Sequence, residues 1–152
     1  MNAEKFTKKS LEAVEQCQKL CMEYNNQEIV SEHLLYSLLT IEDSLIKKLL
    51  ENMGVATAAF IDETEGLIKK RPHVSGSSEN IYMGQDISRV VLTAETHADR
   101  MGDDYISVEH LFLGLIDKGD LNEKTQDYGC QHHAGCRSHP GICAVRSGST
   151  VR

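Results

Sequence analysis

The chain has no tryptophan and only three phenylalanines in 152 residues. Its core must be built from leucine, isoleucine, valine and alanine, which favours packed helices. Proline occurs twice, at Pro72 and Pro140, so helices between those points can run without interruption. Positive charge is also in short supply: 16 basic residues stand against 23 acidic ones, a net charge of −7. A nucleic-acid surface needs a basic stripe to neutralise phosphates, so nucleic acid is not an expected partner. An anionic membrane surface is disfavoured for the same reason. No apolar run approaches the ~20 residues of a bilayer span. The opening "MNAEKFTKKS" lacks the apolar centre of a secretory leader. These absences lead to the expectation of a cytoplasmic protein of one domain, or two very small ones.

Cysteine is used unevenly. Cys17 and Cys21 lie four apart in an amphipathic stretch, where cysteine acts as a small buried hydrophobe. Cys130, Cys136 and Cys143 crowd the last 31 residues. In a reducing compartment neither group is expected to form a disulfide framework.

Helical periodicity dominates what is present. Phe6, Leu11, Ala13, Val14, Cys17, Leu20 and Cys21 share one face of a helix predicted over 5–24. "NNQE" breaks it. Ser31 is a good N-cap for a second helix over 32–40, with Glu32 where the helix dipole favours an acid. A third is predicted over 44–53, ended by Gly54 at C′. Thr57 is placed to cap a fourth, which runs to about residue 70 and stops at "KKRP". Residues 72–84, "PHVSGSSENIYMG", have no period and read as a linker. Ile87, Val90, Val91, Ala94, Ala98 and Met101 then mark a helix from 86, "GDDY" breaks it, and Ser107 caps a last helix reaching about 117.

The two halves superimpose without a gap at an offset of 77. Val14 falls on Val91, Cys17 on Ala94, Cys21 on Ala98 and Ile29 on Ile106. "SEHLLYSLL" falls on "VEHLFLGLI" so that Glu32-His33-Leu34 meets Glu109-His110-Leu111. Shared apolar spacing alone would be weak evidence. A shared Glu-His pair with aligned breakers marks a duplicated unit whose copies bury their apolar faces together. Without a partner both residues have structural roles: the glutamate serves the helix dipole, and the histidine can donate to a neighbouring loop carbonyl.

"EKFTKKSLEAVEQC", "NNQEIVSEHLLYSLL", "LIKKLLENMGV", "GQDISRVV" and "DDYISVEHLFLGLI" together resemble the Clp N-terminal repeat domain, the module at the front of bacterial Clp/AAA+ unfoldases. The resemblance runs over 5–118. In "FT", "NNQEI" and "GDDYISVEHLF" it is closer to the ClpB-type disaggregases than to the protease-coupled ClpC or ClpA. It implies an all-α, pseudo-two-fold tandem repeat of four-helix units: repeat one over 1–71, a linker over 72–85, and repeat two over 86–121. It implies a first contact for unfolded or aggregated polypeptide, which ATPase modules normally in the same chain then thread using ATP and Mg. The contact surface would be an apolar groove between the repeats with an acidic and hydroxyl rim. The matching positions here are Thr7 in "KFT", Asp103 in "GDD" and Glu109 in "SVEH". Each has a plainer reading, as a helix cap, a helix terminator and a dipole partner. A ClpC-type alternative would use Glu32 and Glu109 to engage adaptors or arginine-phosphate tags. A non-functional gene fragment is the third reading.

Repeat two has only two of the four helices. From Leu121 the chain reads "LNEKTQDYGCQHHAGCRSHPGICAVRSGSTVR", without apolar period and with four of the eleven glycines. Four basic and two acidic residues make this stretch positive, whereas the rest of the chain is strongly acidic. Such a change at 122–152 is the mark of a shifted reading frame, a truncated gene or a vector-derived tail. Missing helices would expose part of the repeat-two core, lowering stability or driving dimerisation. Cys130, His132, His133, Cys136, His139 and Cys143 are zinc-ligand types, but their spacing lacks a C-x2-C knuckle, so no metal site is expected. No phosphate loop is present either. "GLIDKGD" at 114–120 lacks the Lys-Ser/Thr pair, and no nucleophile–base arrangement is indicated. The chain itself is not expected to be an enzyme or to hold a cofactor.

Overall fold

A computed structural model describes residues 2–75 and 80–117 of the chain. Ala3–Lys5 form a short 3-10 turn. α1 (Lys8–Glu23) follows, with the Thr7 hydroxyl accepting from the Ser10 N–H at 3.3 Å and with Ala13, Cys17, Leu20 and Cys21 on its buried face. The helix starts three residues later than its apolar period suggests, because Lys5 closes the 3-10 turn and Phe6 is extended and pairs with Ile106. α2 (Ser31–Thr40) is buried on most sides and forms the centre of repeat one. α3 (Leu45–Asn52) is capped by Ser44, whose hydroxyl accepts from the Lys47 N–H at 3.0 Å, and Gly54 at φ +82° ends it in the left-handed conformation expected of C′. α4 (Thr57–Lys69) packs on α2. α5 (Gln85–Met101) ends at Gly102, φ +74°, and packs closely on α6 (Val108–Asp117).

Two expected caps are corrected. Ser31 is already helical and Val30 holds the cap position; the Ser31 hydroxyl is buried and has no hydrogen-bond partner among the described residues. Thr57 is likewise inside α4, behind Ala56, and its hydroxyl donates to Glu51 at 3.1 Å. Val30 is extended and Ala56, at φ −72° and ψ 84°, also lies outside the helical region, so each takes the cap position and the hydroxyl residue lies one step too late to reach the open N–H groups.

The linker is also more than a linker. β1 (Glu28–Ile29) pairs in parallel with β2 (Tyr82–Met83), Glu28 opposite Tyr82 and Ile29 opposite Met83. The offset of 77 maps this pair onto residues 105–106 and 5–6, and the parallel bridge Phe6–Ile106 is found there. The flanking bonds match as well: Gly84 N–H donates to Ile29 O at 2.9 Å, and Thr7 N–H to Ile106 O at 3.0 Å. Each repeat therefore begins with an extended pair that is completed by the other repeat. An exposed Lys5–Glu95 ion pair lies beside one of these crossings. One continuous core results, running from Phe6, Cys17, Leu34 and Leu38 to Ile87, Val90, Leu111 and Leu115.

The crossing of α5 and α6 depends on a missing side chain. A Cβ on Gly114 would lie 2.6 Å from the Val90 carbonyl oxygen, a backbone atom that cannot swing aside. The equivalent Ser37 of repeat one fits, donating to His33 O at 2.8 Å. Gly114→Ala is expected to cost about 1–3 kcal/mol as α5 and α6 are forced apart. Urea denaturation of the variant should show the lowered midpoint; an unchanged midpoint would mean that the helices do not approach this closely.

Candidate functional site

A helix N-terminus leaves backbone N–H groups without acceptors. Here the repeated histidines supply them. His33 Nδ1 accepts from the Val30 N–H at 3.1 Å, and His110 Nδ1 accepts from the Ser107 N–H at 3.0 Å. An acceptor at the third helical position reaching back to the cap is the logic of a capping box. The expected donation to a loop carbonyl is not made: with Nδ1 accepting, the proton sits on Nε2, which donates to a side chain. For His33 that partner is Asn26 Oδ1 at 3.1 Å, and for His110 it is Asp103 Oδ2 at 3.0 Å. Asn26 and Asp103 are themselves equivalent at the offset of 77. One frame thus holds a buried amide in repeat one and a carboxylate, its side chain 54% exposed, in repeat two.

The frame places the candidate residues. Asp103 stands on the loop after α5, anchored by His110. Glu109 is exposed in the first turn of α6 and has no ion-pair partner among the described residues. The Phe6–Ile106 bridge seats Thr7 against the end of the same loop, with Ser10 Oγ donating to Ile106 O at 2.7 Å. The fold therefore gathers Thr7, Asp103 and Glu109 around one crossing. Thr7 also caps α1, as its plainer reading had it.

Glu32 is set apart. Both of its carboxylate oxygens lie 3.0 Å from Arg71 Nη2. Arg71 opens a strap across the α1–β1 corner that the sequence reading missed. Asn26 Nδ2 donates to Pro72 O at 3.3 Å, Val74 N–H donates to Asn25 O at 2.9 Å, and a His73 ring nitrogen lies 2.7 Å from Tyr24 O.

An apolar cleft of about 30 Å³ lies between the repeats, with Val14, Cys17, Ile29 and Leu34 on one side and Met83, Ile87 and Val91 on the other. It shares no lining residue with the Thr7–Asp103–Glu109 cluster. Burial pushes the Cys17 thiol up to about 12 and the Cys21 thiol to about 11, so both stay protonated at neutral pH and are poor nucleophiles. Among the described residues no group of three or more His, Cys, Asp or Glu is placed to hold a metal ion. No helix among them is long and apolar enough to cross a membrane. Cys130, His132, His133, Cys136, His139 and Cys143 lie outside the described residues, as does the expected break near Leu121.

A family model described as the Clp repeat (R) N-terminal domain matches residues 5–125. The chaperone protein ClpB of Bacillus cereus is 35% identical over 127 residues, which is 81% of this chain and 15% of that protein. The chain thus spans a small fraction of the curated relative's length. Among solved structures, the Hsp104 N-terminal domain from Candida albicans superimposes with a TM-score of 0.75 at 16% identity, over 82% of this chain and 81% of that one. The N-terminal domain of the ClpV1 ATPase from E. coli EAEC does so with a TM-score of 0.68 at 22% identity, over 76% and 69%. At these identities the two structures bear on the fold alone.

The capping histidine makes stability depend on pH. Burial lowers the His33 pKa from its ordinary 6.5 to about 4, and its Nδ1 cannot accept the Val30 N–H once protonated. Above pH 6.5 both folded and unfolded chains carry the neutral ring. Below it the unfolded chain takes up a proton that the folded chain refuses, so stability falls as pH drops toward 4. Between pH 7 and pH 5 this one group should remove about 2 kcal/mol. His33→Gln should be less stable at pH 7 but lose less on acidification. Equal slopes for the two proteins in urea titrations at several pH values would refute the assignment.

Proposed function

Because the chain belongs to the Clp repeat N-terminal domain family, we propose that it is the polypeptide-contact domain of a ClpB-type disaggregase. Its role is to hold unfolded or aggregated chains for AAA+ modules that normally follow in the same chain. ATP, Mg and catalysis belong to those modules, and the compartment is the cytoplasm. The observation that carries the reading is that the buried Phe6–Ile106 crossing sets a half-buried Thr7 beside the loop that carries the exposed Asp103 and leads to the exposed Glu109.

The chemistry suits a contact that must be general and brief. The apolar cleft of about 30 Å³ has room for no more than the tip of an aliphatic side chain, so non-directional burial there contributes only a fraction of the ~1.5–3 kcal/mol of a whole one. Exposed carboxylates favour the basic residues that flank apolar stretches and repel acidic surfaces. The engagement of Glu32 by Arg71 weighs against the ClpC-type alternative, which needs both Glu32 and Glu109 open to a guanidinium.

Binding of a fluorescently labelled, permanently unfolded polypeptide, followed by anisotropy, tests the reading. Glu109→Ala and Asp103→Ala should each weaken binding about two- to fivefold, the worth of an exposed ion pair of up to ~1 kcal/mol. Thr7→Ala also removes the α1 cap, at about 1 kcal/mol, so its melt is measured alongside. Undiminished binding in all three variants would sink the proposal.

A further inference from the structure

A helix ends in carbonyl groups that its own N–H groups cannot reach. The strap at 71–74 carries a histidine between two such ends. Tyr24 is the C-cap of α1, and Lys69 is the last residue of α4. His73 Nδ1 lies 2.7 Å from Tyr24 O, and His73 Nε2 lies 3.1 Å from Lys69 O. Both partners are carbonyl oxygens, which only accept. A neutral imidazole has one N–H and one lone pair, so it serves one of them and turns a lone pair toward the other. The imidazolium donates to both. A cation also suits the place, since two helix C-termini with partial negative charge meet at it.

We propose that His73 is a proton-dependent latch: its imidazolium ties the ends of α1 and α4 together, and loss of the proton releases one of them. The rest of the strap flanks that tie, with Asn26 Nδ2 donating to Pro72 O before the ring and Val74 N–H donating to Asn25 O after it. Around the ring, Lys69, Lys70 and Arg71 oppose a positive charge, and Glu23, Glu32 and Glu65 favour it. Lys69 is paired with Glu65, and Arg71 with Glu32. The Tyr24 hydroxyl first, and Lys69 next, hold the Glu65 carboxyl below its usual range, so it stays ionised. Tyr24 and Tyr36 stay neutral, both pushed up chiefly by burial. His33 reaches the strap through Asn26, and burial lowers its pKa to about 4, so it stays neutral as well. None of these neighbours changes charge between about pH 6 and pH 8, and a response in that range belongs to His73. One corner thus holds two histidines of opposite sense. His33 keeps its cap bond only while neutral, and His73 makes both of its bonds only while charged.

NMR on the full isotope-labelled chain follows both the ring and the strap. At about pH 6 the ¹⁵N shifts of His73 should show protons on both ring nitrogens. Raising the pH to about 8 should lower the hydrogen-exchange protection of the Val74 N–H about threefold or more, as expected for one lost hydrogen bond. The Gly84 N–H, bonded to Ile29 O at the crossing, should keep its protection and serves as the reference. His73→Gln has the same donor at either pH, so Val74 protection should be low at both. His73→Lys keeps its charge throughout and should remove the pH dependence. A single protonated nitrogen at pH 6, protection in the wild-type chain that does not fall with pH, or an equal fall in His73→Gln or His73→Lys overturns the inference.

Discussion

Two short parallel pairings, Phe6 with Ile106 and Glu28–Ile29 with Tyr82–Met83, constrain everything else in the arrangement. Neither is long enough to be stable alone. Each works because helices on both sides bury the side chains around it and shield its bonds from water. Together they make the repeats mutually dependent, since each supplies the extended pair that the other needs. They also fix local detail. Gly84 lies so near Ile29 and Glu28 that a Cβ there would be 2.5 Å from Glu28 Oε1. The equivalent Thr7 has room for a side chain and uses it to cap α1. One backbone plan thus gives a bare crossing on one side and a hydroxyl on the other.

The same division recurs at the histidines. Duplication preserved the ring, its cap bond and its position on the helix. It did not preserve what the ring holds, which is a buried amide in one copy and an exposed carboxylate in the other. The glutamates before the rings diverged in surroundings as well, one bridged to Arg71 and one open. A nearly symmetric scaffold therefore presents a one-sided surface. The structural parts of the motif are the parts that had to stay the same.

How far this could be read in the chain depended on the range of each interaction. Helices with a long apolar face announce themselves, and so did the duplication, because Val14, Cys17, Cys21 and Ile29 recur in register. Gly54 was legible because only a residue free of Cβ sits easily at φ +82°. The two strands were not legible, since two residues carry no period. Ser31 and Thr57 looked like caps because hydroxyl residues usually are; which residue leaves the helical conformation first depends on how the preceding turn packs. The Glu32–Arg71 bridge spans 39 positions and leaves no local mark. The gathering of Thr7, Asp103 and Glu109 was legible only through the family resemblance, as nothing in their spacing brings residue 7 beside residue 106.

That last separation bears on how the protein is made. A ribosome delivers residues at about 5–20 per second, so Phe6 emerges several seconds before the isoleucine that completes its pairing. During that interval the Phe6 ring has no partner of its own. Repeat one can form its helices early, but its first extended pair stays open until nearly all of the described sequence has been synthesised. A domain read as a receiver of unfinished chains thus passes through the same exposed condition itself.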